Sequence, residues 1–358
     1  MNLHISTPSA HTDAFHGHLR TLGLAESNRI ILRLKTQSPH FRSADLHSRE
    51  FDELVGDTEQ YDQVFIHQFS PMLYRWVAQH RFRKLNWMVW GADLYNLPGH
   101  EFDLYEPRTK AFVKSRQTTR DRLYRLKARV VTSLFRDRAL KKVDHILTWM
   151  NGEFQWARNH LPVVNASHKY FFYQNRFSYE SVIREMSGFE PKKNPAPTLL
   201  LGNSGTPSNN HLDLADHLVR SGFRGELIVP LTYGSPDYIR ELKSALKIPG
   251  CSIRYLEAHM PFPEYLRLLA GTDGLIMNTL RPQGYGNIFL MMVLGKKVFL
   301  NPKNPSCADL RRMHLEFGLL DELGNLQVRD IGNSVDQQGR ILQYFSEDRM
   351  KTVYQDLF

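Results

Sequence analysis

Residues 199–211 constrain the fold of this chain more than any other segment does. An apolar run ending at Leu201 is long enough for a buried strand, and it stops at Gly202. Small polar residues follow, and from His211 onward apolar residues recur at helical spacing. The pattern predicts a strand, a tight loop and a helix start. Its glycines let the backbone approach a ligand and the helix start favours an anion, although an ordinary turn with a Ser or Asn cap has the same pattern.

Strand and helix patterns alternate along the rest of the chain. In the first half the predicted strands are 64–67, 86–91, 144–148 and 170–173, with helices over 73–78 and 153–160. In the second half the predicted strands are 198–201, 226–230, 252–256, 274–278 and 297–301, with helices over 238–246, 262–269 and 288–294. This alternation is typical of parallel sheets built from strand–helix–strand units.

A proline-rich segment divides the two series. Residues 188–197 contain three prolines and a lysine pair, and a chain of 358 residues is long enough for two domains. We therefore expect an α/β protein with an N-terminal domain over 1–190 and a C-terminal domain over 198–330. The remaining residues, 331–358, are expected to form C-terminal helices that pack back on the N-terminal domain.

Composition narrows the class of protein. The two cysteines, Cys251 and Cys307, lie far apart, which argues against a disulfide framework or a cysteine-rich metal site and fits a reducing cytosol. The sequence turns polar directly after Met1, without the apolar core of a secretory signal. No apolar run approaches the ~18 residues of a membrane-spanning helix. A globular protein with sizeable cores is therefore expected.

Positive charge is concentrated between Arg108 and Lys142. Thirteen Lys and Arg residues in this segment are opposed by two aspartates, which gives it a charge of +11 in a chain of net charge +9. The segment also has apolar residues at helical spacing, namely Leu123, Leu126, Val130 and Leu134. One or two basic amphipathic helices are predicted, which bind an anionic membrane surface or nucleic acid, or pack on the core with a solvated basic face. We take the membrane as the partner and expect it to contact Arg120, Arg122, Arg125, Lys127 and Arg129.

A second loop of the C-terminal series pairs with the opening one. After the strand at 274–278 come Arg281, Gly284 and Gly286, and a helix is predicted to start at Asn287 or the next residue. An arginine beside helix N–H groups suits a pyrophosphate, because the helix dipole and the guanidinium both stabilise its charge. In a doubly wound sheet both loops open at the carboxyl ends of the strands, where ligands bind. A plain turn with a surface arginine is the alternative.

Three further polar or aromatic residues follow predicted strands. Tyr233 either stacks on a base or covers the domain edge. In the N-terminal series, His67 and Asp93 follow adjacent strands, where an imidazole and a carboxylate suit activation of an acceptor hydroxyl. A structural histidine and a helix-capping aspartate are the alternatives.

Together these motifs resemble those of a known enzyme family. The residues that carry the resemblance are Trp90–Tyr95, Gly202–Gly205 with Ser208–His211, and Arg281 with Gln283–Gly286. The resemblance runs from His67 to Asn304 and includes His67–Phe69 with Pro71, Val229–Pro230 with Tyr233–Gly234, and Tyr265–Leu266 with Leu268–Leu269. The family is that of the dTDP-4-acetamido-4,6-dideoxygalactose (Fuc4NAc) transferases, which add the third sugar of the enterobacterial common antigen repeat to a disaccharide linked to undecaprenyl pyrophosphate.

The resemblance implies a GT-B glycosyltransferase, in which two Rossmann-like parallel-sheet domains face each other across a cleft. Its C-terminal domain would hold the dTDP-sugar and its N-terminal domain the glycan linked to undecaprenyl pyrophosphate, as a peripheral protein at the cytoplasmic face of the bacterial inner membrane. No metal, cofactor or nucleic acid is expected, because GT-B enzymes use side chains and helix dipoles on the leaving pyrophosphate.

The motifs, taken together with the resemblance, predict roles for individual residues. Catalysis is assigned to Asp93 and His67. Donor binding is assigned to Gly202, Asn203, Ser204, Gly205, Asn210, Tyr233, Arg281, Gln283, Gly284, Gly286 and Asn287.

The chain departs from the family pattern in two places. Residues 1–60 show a short or divergent first strand, and the basic segment at 108–142 is longer than in the family. Both departures fall in the acceptor half, so the acceptor glycan is less constrained than the donor. The alternatives are a GT-B-like enzyme, such as a phosphorylase or an epimerase, that acts on another nucleotide sugar or acceptor, and a non-enzymatic protein that binds anionic lipid or nucleic acid.

Overall fold

The chain divides into two compact units, each built around its own parallel sheet. The computed structural model describes residues 1–97, 100, 103–163, 165–173, 177–191, 195–323 and 334–358, with their side chains except those at 124, 131, 334 and 335. Unit 1 comprises Met1–Glu101, Thr118–Arg176 and Glu347–Phe358, and unit 2 comprises Phe102–Gln117 and Phe177–Ser346.

Unit 1 contains a seven-stranded sheet. Its strands are β1 (Asn2–Ser6), β2 (Asn28–Leu32), β3 (Arg42–Ser43), β4 (Val64–His67), β5 (Leu85–Met88), β6 (His145–Thr148) and β7 (Ser167–Tyr170). Its helices are α1 (Ala10–Thr21), α2 (Arg49–Val55), α3 (Pro71–Gln79), α4 (Ala92–Tyr95), α6 (Thr119–Leu140), α7 (Asn151–His160) and α15 (Glu347–Leu357). The strand order is β3-β2-β1-β4-β5-β6-β7, and every pairing is parallel.

Unit 2 contains a six-stranded sheet. Its strands are β8 (Thr198–Leu201), β9 (Gly225–Pro230), β10 (Cys251–Leu256), β11 (Gly274–Met277), β12 (Lys297–Leu300) and β13 (Gly318–Leu319). Its helices are α5 (Pro107–Ser115), α8 (Tyr179–Met186), α9 (His211–Arg220), α10 (Pro236–Ala245), α11 (Phe262–Ala270), α12 (Tyr285–Val293), α13 (Ser306–Arg312) and α14 (Ser334–Phe345). The order β10-β9-β8-β11-β12-β13 is that of a doubly wound dinucleotide-binding sheet, and all pairings are parallel.

Each unit has its own hydrophobic core. In unit 2, Leu199 and Leu201 of β8 are fully buried together with Leu214 and Leu218 of α9. In unit 1 the core joins residues of the sheet to α1 and to the C-terminal helix α15, whose Tyr354 is fully buried. Burial of each such side chain stabilises the fold by roughly 1.5–3 kcal/mol.

The helix α6 begins with a capping box. Thr118 accepts a hydrogen bond from the backbone N–H of Asp121 at 3.1 Å, and the Asp121 carboxylate accepts one from the backbone N–H of Thr118 at 2.9 Å. This reciprocal capping box satisfies two N–H groups that a helix start leaves without partners. The basic segment therefore splits into two helices, α5 in unit 2 and α6 in unit 1.

Several element boundaries differ from the sequence-based prediction, and two of the differences have a local physical reason. β7 covers Ser167–Tyr170 instead of 170–173, because it is an edge strand with mostly exposed residues, while the aromatic run after it contributes Phe171 to the core. α12 begins at Tyr285, two residues before the predicted Asn287, because Gly284 supplies a left-handed cap.

The boundaries between the two units do not coincide with the proline-rich segment at 188–197, which was predicted to separate the domains. Residues 192–194 of that segment lie outside the described residues, as do 324–333 near the expected end of the C-terminal domain. By contacts, the chain passes into unit 2 after Arg176, and the segment Phe102–Gln117 belongs to unit 2 as well. The helix α15 belongs to unit 1, and α14 belongs to unit 2.

Candidate functional site

The loops after β8 and β11 meet in the middle of the unit 2 sheet. These two strands are neighbours in the sheet. From β8 the chain continues to β9 on one side, and from β11 it continues to β12 on the other side. This is the point at which the strand order reverses, and ligands of open α/β sheets bind outside the carboxyl ends of the strands there. The two glycine-containing loops singled out in the sequence, 202–210 and 279–284, are therefore brought together.

Gly202 and Gly284 hold the backbone conformations that make this approach possible. Both have positive φ, +70° in each case. A Cβ at Gly202 would lie 2.5 Å from His211 Nε2, and a Cβ at Gly284 would lie 3.3 Å from Asn203 Cβ. Both positions therefore need glycine for conformation and for space.

The buried side-chain amide of Asn209 holds the loop at 202–210 in place. Asn209, which is 1 % exposed, accepts a hydrogen bond from Asn203 N–H at 3.1 Å and donates to the carbonyl of Ser204 at 3.1 Å. Ser204 itself is fully buried, and its hydroxyl lies 2.9 Å from that of Thr206. Asn209 is a residue that sequence reasoning left out of the donor site, and the repeated asparagine in this loop was the signal for it.

Asn210, another predicted donor-site residue, uses its side chain to join separate parts of unit 2. It adopts a left-handed conformation with φ of +51°, and its side chain is fully buried. Its Oδ1 accepts from Glu106 N–H at 2.9 Å, and its Nδ2 donates to the carbonyl of Asn278 at 2.9 Å. Asn210 therefore ties the segment before α5 to the end of β11.

That segment is anchored further along by a carboxylate of α9. Asp213 accepts hydrogen bonds from the backbone N–H of Arg108 at 2.7 Å and of Thr109 at 3.0 Å. A carboxylate on these N–H groups caps α5 and opposes its dipole. Glu106 lies beside Asn301, whose Nδ2 is 3.3 Å from its carboxylate. No sequence motif near 106–109 indicated these contacts, because Asp213 and Asn301 are more than 100 residues away in the chain.

Gln283 links the two loops directly. Its Oε1 accepts from the Ser208 hydroxyl at 2.7 Å, and its Nε2 donates to Asn203 Oδ1 at 2.9 Å. Asn203 in turn donates to the hydroxyl of Tyr233 at 3.0 Å, and the Tyr233 side chain is 58 % exposed. Three predicted donor-site residues, Gln283, Asn203 and Tyr233, thus form one hydrogen-bonded group together with Ser208.

A third loop packs on the first through two glycines. Gly205 N–H donates to the carbonyl of Tyr233 at 2.8 Å, and a Cβ at Gly234 would lie 2.2 Å from the Gly205 carbonyl carbon. The backbones of Gly205 and Gly234 therefore contact each other, which fixes the position of Tyr233. Gly234 was absent from the predicted site.

The start of α12 holds three more predicted residues. Gly286 and Asn287 lie in its first turn, and Arg281 precedes it in the same loop, where Asn304 donates to the Arg281 carbonyl at 3.1 Å. The Asn287 side chain bonds to Tyr265 of α11. The first N–H groups of a helix have no partner within the helix, so this turn presents donors a few residues after Arg281 in the chain.

In unit 1, Asp93 is enclosed by hydrogen-bond donors. It is 4 % exposed, and its carboxylate accepts from Phe69 N–H at 2.9 Å, Trp90 N–H at 2.9 Å and the Trp87 indole at 2.6 Å. Burial raises the pKa of Asp93, and these hydrogen bonds oppose the rise. The contacts favour a role in holding the loops after β4 and β5.

His67 is the central member of a chain of buried hydrogen bonds. Asn28 Nδ2 donates to the Leu24 carbonyl, so Asn28 Oδ1 must accept from His4 Nε2 at 2.9 Å. With His4 neutral, its Nδ1 accepts from His67 Nε2 at 3.0 Å. His67 Nδ1 then accepts from the Tyr173 hydroxyl at 2.6 Å, and that hydroxyl accepts from the Trp90 indole at 2.6 Å.

This chain uses both ring nitrogens of His67 and of His4. Burial lowers the pKa of His67 well below its usual value, with the neighbouring His4 and Arg33 adding to the effect, and burial lowers the pKa of His4 to about 4. Two neutral imidazoles in a fixed tautomer satisfy every bond in the chain. The arrangement favours a positioning role for His67.

The predicted apolar stripe of α6 faces solvent. Leu123, Leu126, Val130 and Leu134 are 56, 59, 53 and 61 % exposed. The opposite side of the helix is buried at Thr132 and Ala139, and α6 packs along α3. At 3.6 residues per turn, the stripe is bordered on one side by Arg120, Lys127 and Arg138 and on the other by Arg122, Arg129 and Arg136.

Two features are absent from the described ranges. No helix in them combines the length and the apolar character needed to cross a membrane. No three His, Cys, Asp or Glu side chains among the described residues are grouped so as to hold a metal ion.

Comparison with known proteins identifies the class of enzyme. A family model described as "4-alpha-L-fucosyltransferase glycosyl transferase group 56" matches residues 53–353. The chain belongs to glycosyltransferase group 56. It is a glycosyltransferase, and the resemblance found in the sequence is confirmed at that level. The matched range includes both sheet edges described above.

Solved structures of other glycosyltransferases confirm the GT-B fold. Sucrose-phosphate synthase from Thermosynechococcus elongatus is similar with a TM-score of 0.60 and 12 % identity, over 99 % of this chain and 97 % of that one. HepE from Anabaena in complex with UDP-glucose is similar with a TM-score of 0.59 and 14 % identity, over 99 % and 98 %. WaaG, a glycosyltransferase involved in lipopolysaccharide biosynthesis, has a TM-score of 0.52 and 11 % identity, over 99 % and 98 %.

Proposed function

We propose that this glycosyltransferase moves a 4-acetamido-4,6-dideoxyhexose such as Fuc4NAc from a dTDP-sugar to a hydroxyl of a saccharide linked to undecaprenyl pyrophosphate. The observation that carries the proposal is the junction of two glycine-containing loops at the switch point of the unit 2 sheet. The product would be an intermediate of a surface polysaccharide such as the enterobacterial common antigen.

The donor assignment is supported by both geometry and relatives. HepE, which shares the fold, was solved with UDP-glucose, so a nucleotide sugar is a reasonable donor class. The family description names a fucosyl group, and fucose and Fuc4NAc are both 6-deoxyhexoses. The motifs around Trp90, Gly202 and Arg281 favour the dTDP-linked sugar among these.

In this proposal the leaving pyrophosphate lies between the two loops. Arg281 and the N–H groups in the first turn of α12 stabilise its charge, as the positive end of a helix and a guanidinium do for phosphates. The Gln283 bridge and the two left-handed glycines hold those groups in place before the ligand binds. The charge is thus stabilised by residues alone, and the proposal includes no metal or other cofactor.

The acceptor is proposed to bind unit 1, which α6 brings to the membrane. An exposed leucine stripe bordered by cations on both sides suits insertion at the surface of an anionic bilayer. Each Lys or Arg near such a surface contributes about 1 kcal/mol. The proposal places the protein at the cytoplasmic face of the inner membrane as a peripheral protein, without nucleic acid as a partner.

A nucleotide panel tests the donor assignment. Thermal unfolding is measured with dTDP, UDP and GDP at equal concentration, followed by transfer assays with dTDP-Fuc4NAc and GDP-fucose on lipid-linked acceptor. We expect dTDP to stabilise most, since a ligand at roughly 100 times its Kd adds about 2.7 kcal/mol. Stabilisation by dTDP no greater than by UDP or GDP, or transfer only from GDP-fucose, would overturn the donor assignment.

Arg281→Ala tests the phosphate site within the same panel. A charge-assisted hydrogen bond contributes about 1.5–3 kcal/mol, so the Kd for dTDP should rise roughly 10- to 100-fold. The control is Arg267→Ala, which changes an exposed arginine of α11 in the same unit. Unchanged dTDP affinity in Arg281→Ala would remove Arg281 from the donor site.

A further inference from the structure

A third imidazole lies at the carboxyl edge of the unit 1 sheet. His11 is the second residue of α1, the helix that follows β1, and the strand order of this sheet reverses between β1 and β4. Its ring centroid lies 5.6 Å from that of Trp90 and 5.8 Å from that of Tyr173. Three loops that follow different strands thus bring these rings together at the position where α/β sheets bind ligands.

His11 differs from the two buried imidazoles beneath it in accessibility. Its side chain is exposed, and among the described residues no hydrogen bond to its imidazole is formed. His4 and His67, by contrast, are fully buried and each uses both ring nitrogens within the hydrogen-bonded chain. His11 can therefore offer a nitrogen to a bound molecule.

The turn before α1 does not need the His11 side chain. Ser9 caps the helix by accepting from Thr12 N–H at 3.1 Å, and the Thr12 hydroxyl donates to the Thr7 carbonyl at 2.8 Å. Thr12 also lies 2.8 Å from the Ser6 hydroxyl, at the end of β1. The loop is thus built by hydroxyl groups, and replacement of His11 leaves these bonds intact.

The rings that support His11 are fixed in orientation. The Trp90 indole donates to the Tyr173 hydroxyl and that hydroxyl donates to His67, both at 2.6 Å. Rotation of Tyr173 would leave a buried nitrogen of His67 without a partner, at a cost of about 1–3 kcal/mol, and rotation of Trp90 would remove the donor to the Tyr173 hydroxyl. The buried chain therefore positions the surface against which His11 rests. Partial desolvation of the imidazole also lowers the pKa of His11 from its usual value.

We propose that His11 is the general base of the transfer reaction and that the His4–His67–Tyr173 chain positions it. The inference rests on the proposed function, in which unit 1 holds the acceptor. The acceptor oxygen forms a bond to the anomeric carbon of the donor sugar as its proton passes to a ring nitrogen of His11. The bond from that carbon to the phosphate oxygen breaks, and the nucleoside diphosphate leaves with the electron pair. The anomeric configuration inverts, since attack and departure take place on opposite faces.

The test compares His11→Gln with His16→Gln. His16 lies on the same helix but contacts Phe41 instead of Trp90 and Tyr173, so it is a matched control. General-base catalysis contributes roughly 100- to 10,000-fold, and we expect kcat of His11→Gln to fall by that factor. The KM for donor and acceptor and the melting temperature should stay close to wild type, and His16→Gln should keep full activity.

Rescue separates a chemical role from a structural one. In His11→Ala, added imidazole should restore part of the rate in proportion to its concentration, which a packing defect would not show. A kcat near wild type in His11→Gln, a raised KM at unchanged kcat, or no rescue of His11→Ala would each overturn the proposal. If the wild-type protein transfers no sugar from any nucleotide donor, the proposed function fails, and that failure is recognised before any variant is compared.

Discussion

The two units have the same order of five strands, β3-β2-β1-β4-β5 in unit 1 and β10-β9-β8-β11-β12 in unit 2. The loops at the carboxyl ends of these strands carry different chemical groups in the two units. In unit 1 the edge is held by side chains, since imidazole, phenol and indole groups bond to each other around His67. In unit 2 it is held by backbone conformation, since Gly202 and Gly284 are left-handed and amides bind the loops from inside. The same topology thus provides two different kinds of surface.

The difference teaches what each edge can do. In unit 1 the polar atoms of the hydrogen-bonded side chains bond to each other, and their aromatic rings are held in fixed positions. Such rings can orient a sugar ring and one exposed imidazole. Glycine loops leave the N–H groups of a helix start open, which suits an anionic leaving group. This difference supports the proposal that the acceptor binds at the unit 1 edge and the donor pyrophosphate at the unit 2 edge.

The largest expected effect concerns vesicle binding by α6, which is tested independently of dTDP binding by unit 2. Changing Arg120, Arg122, Lys127 and Arg129 to Glu should reduce binding to anionic vesicles at least roughly a thousandfold, because four cations contribute about 4 kcal/mol. Flotation with vesicles containing anionic phospholipid measures this, and dTDP binding should be unchanged.

The control for this variant carries the same change of charge on unit 2. Arg220, Arg254, Arg267 and Lys247 are exposed there, and their replacement by Glu should leave flotation close to wild type. Equal loss in both variants would mean that net charge, and not α6, determines membrane binding. Retained flotation of the α6 variant would contradict the docking proposal outright.

The next effect contrasts two glycines of the donor site. Gly202→Ala should destabilise unit 2 by about 4 kcal/mol, from left-handed strain and overpacking against His211 together. Gly286→Ala meets no atom within 4 Å and lies in a helix, so it should leave stability unchanged or raise it by up to about 1 kcal/mol. Denaturant unfolding followed by dTDP titration measures both.

The outcome decides how the unit 2 edge is built. Equal stability of Gly202→Ala and wild type would mean that the loop can rearrange, and the contrast between a backbone-held and a side-chain-held edge would be lost. A loss of dTDP binding in Gly286→Ala at full stability would instead place that turn against the ligand.

The unit 2 site was the more predictable part of the molecule. Its strands are continuous apolar runs such as Leu199–Leu201, and its loops carry glycines whose conformational role is local. Because parallel strands end at one edge, the pairing of the loops at Gly202 and Gly284 followed from strand order alone. The partners of Asn210 could not be predicted, since they lie in a segment that precedes unit 2 in sequence.

Unit 1 was less predictable for a physical reason. β1 alternates apolar Leu3 and Ile5 with Asn2, His4 and Ser6, and all five residues are buried. The polar residues are inside because they bond to Asn28, His67 and Thr12, which are distant in sequence. From its sequence pattern such a strand looks short or divergent, although it lies inside the sheet, between β2 and β4.

The third prediction concerns acid stability and distinguishes the units by their buried imidazoles. The folded pKa of His4 is about 4 against 6.5 for the ordinary side chain, and the pKa of His67 is also lowered. Above pH 6.5 neither state binds the proton, and below it the unfolded state does so first. Unit 1 should thus lose about 3 kcal/mol through His4 alone as the pH falls from 6.5 to 4. The raised pKa of Asp93 acts in the opposite direction at lower pH.

Amide hydrogen exchange in β1 and β8, measured as a function of pH, reports the stability of each unit separately. His4→Gln keeps a donor toward Asn28 and an acceptor toward His67 but does not titrate, so it should flatten the loss of protection in β1 and leave β8 unaffected. His211→Gln is the matched change in unit 2, where burial lowers the pKa of His211 to about 4, and it should flatten β8 alone. An effect of either variant on both strands would show that the units unfold as one, and their edges could then not be treated as independently stabilised.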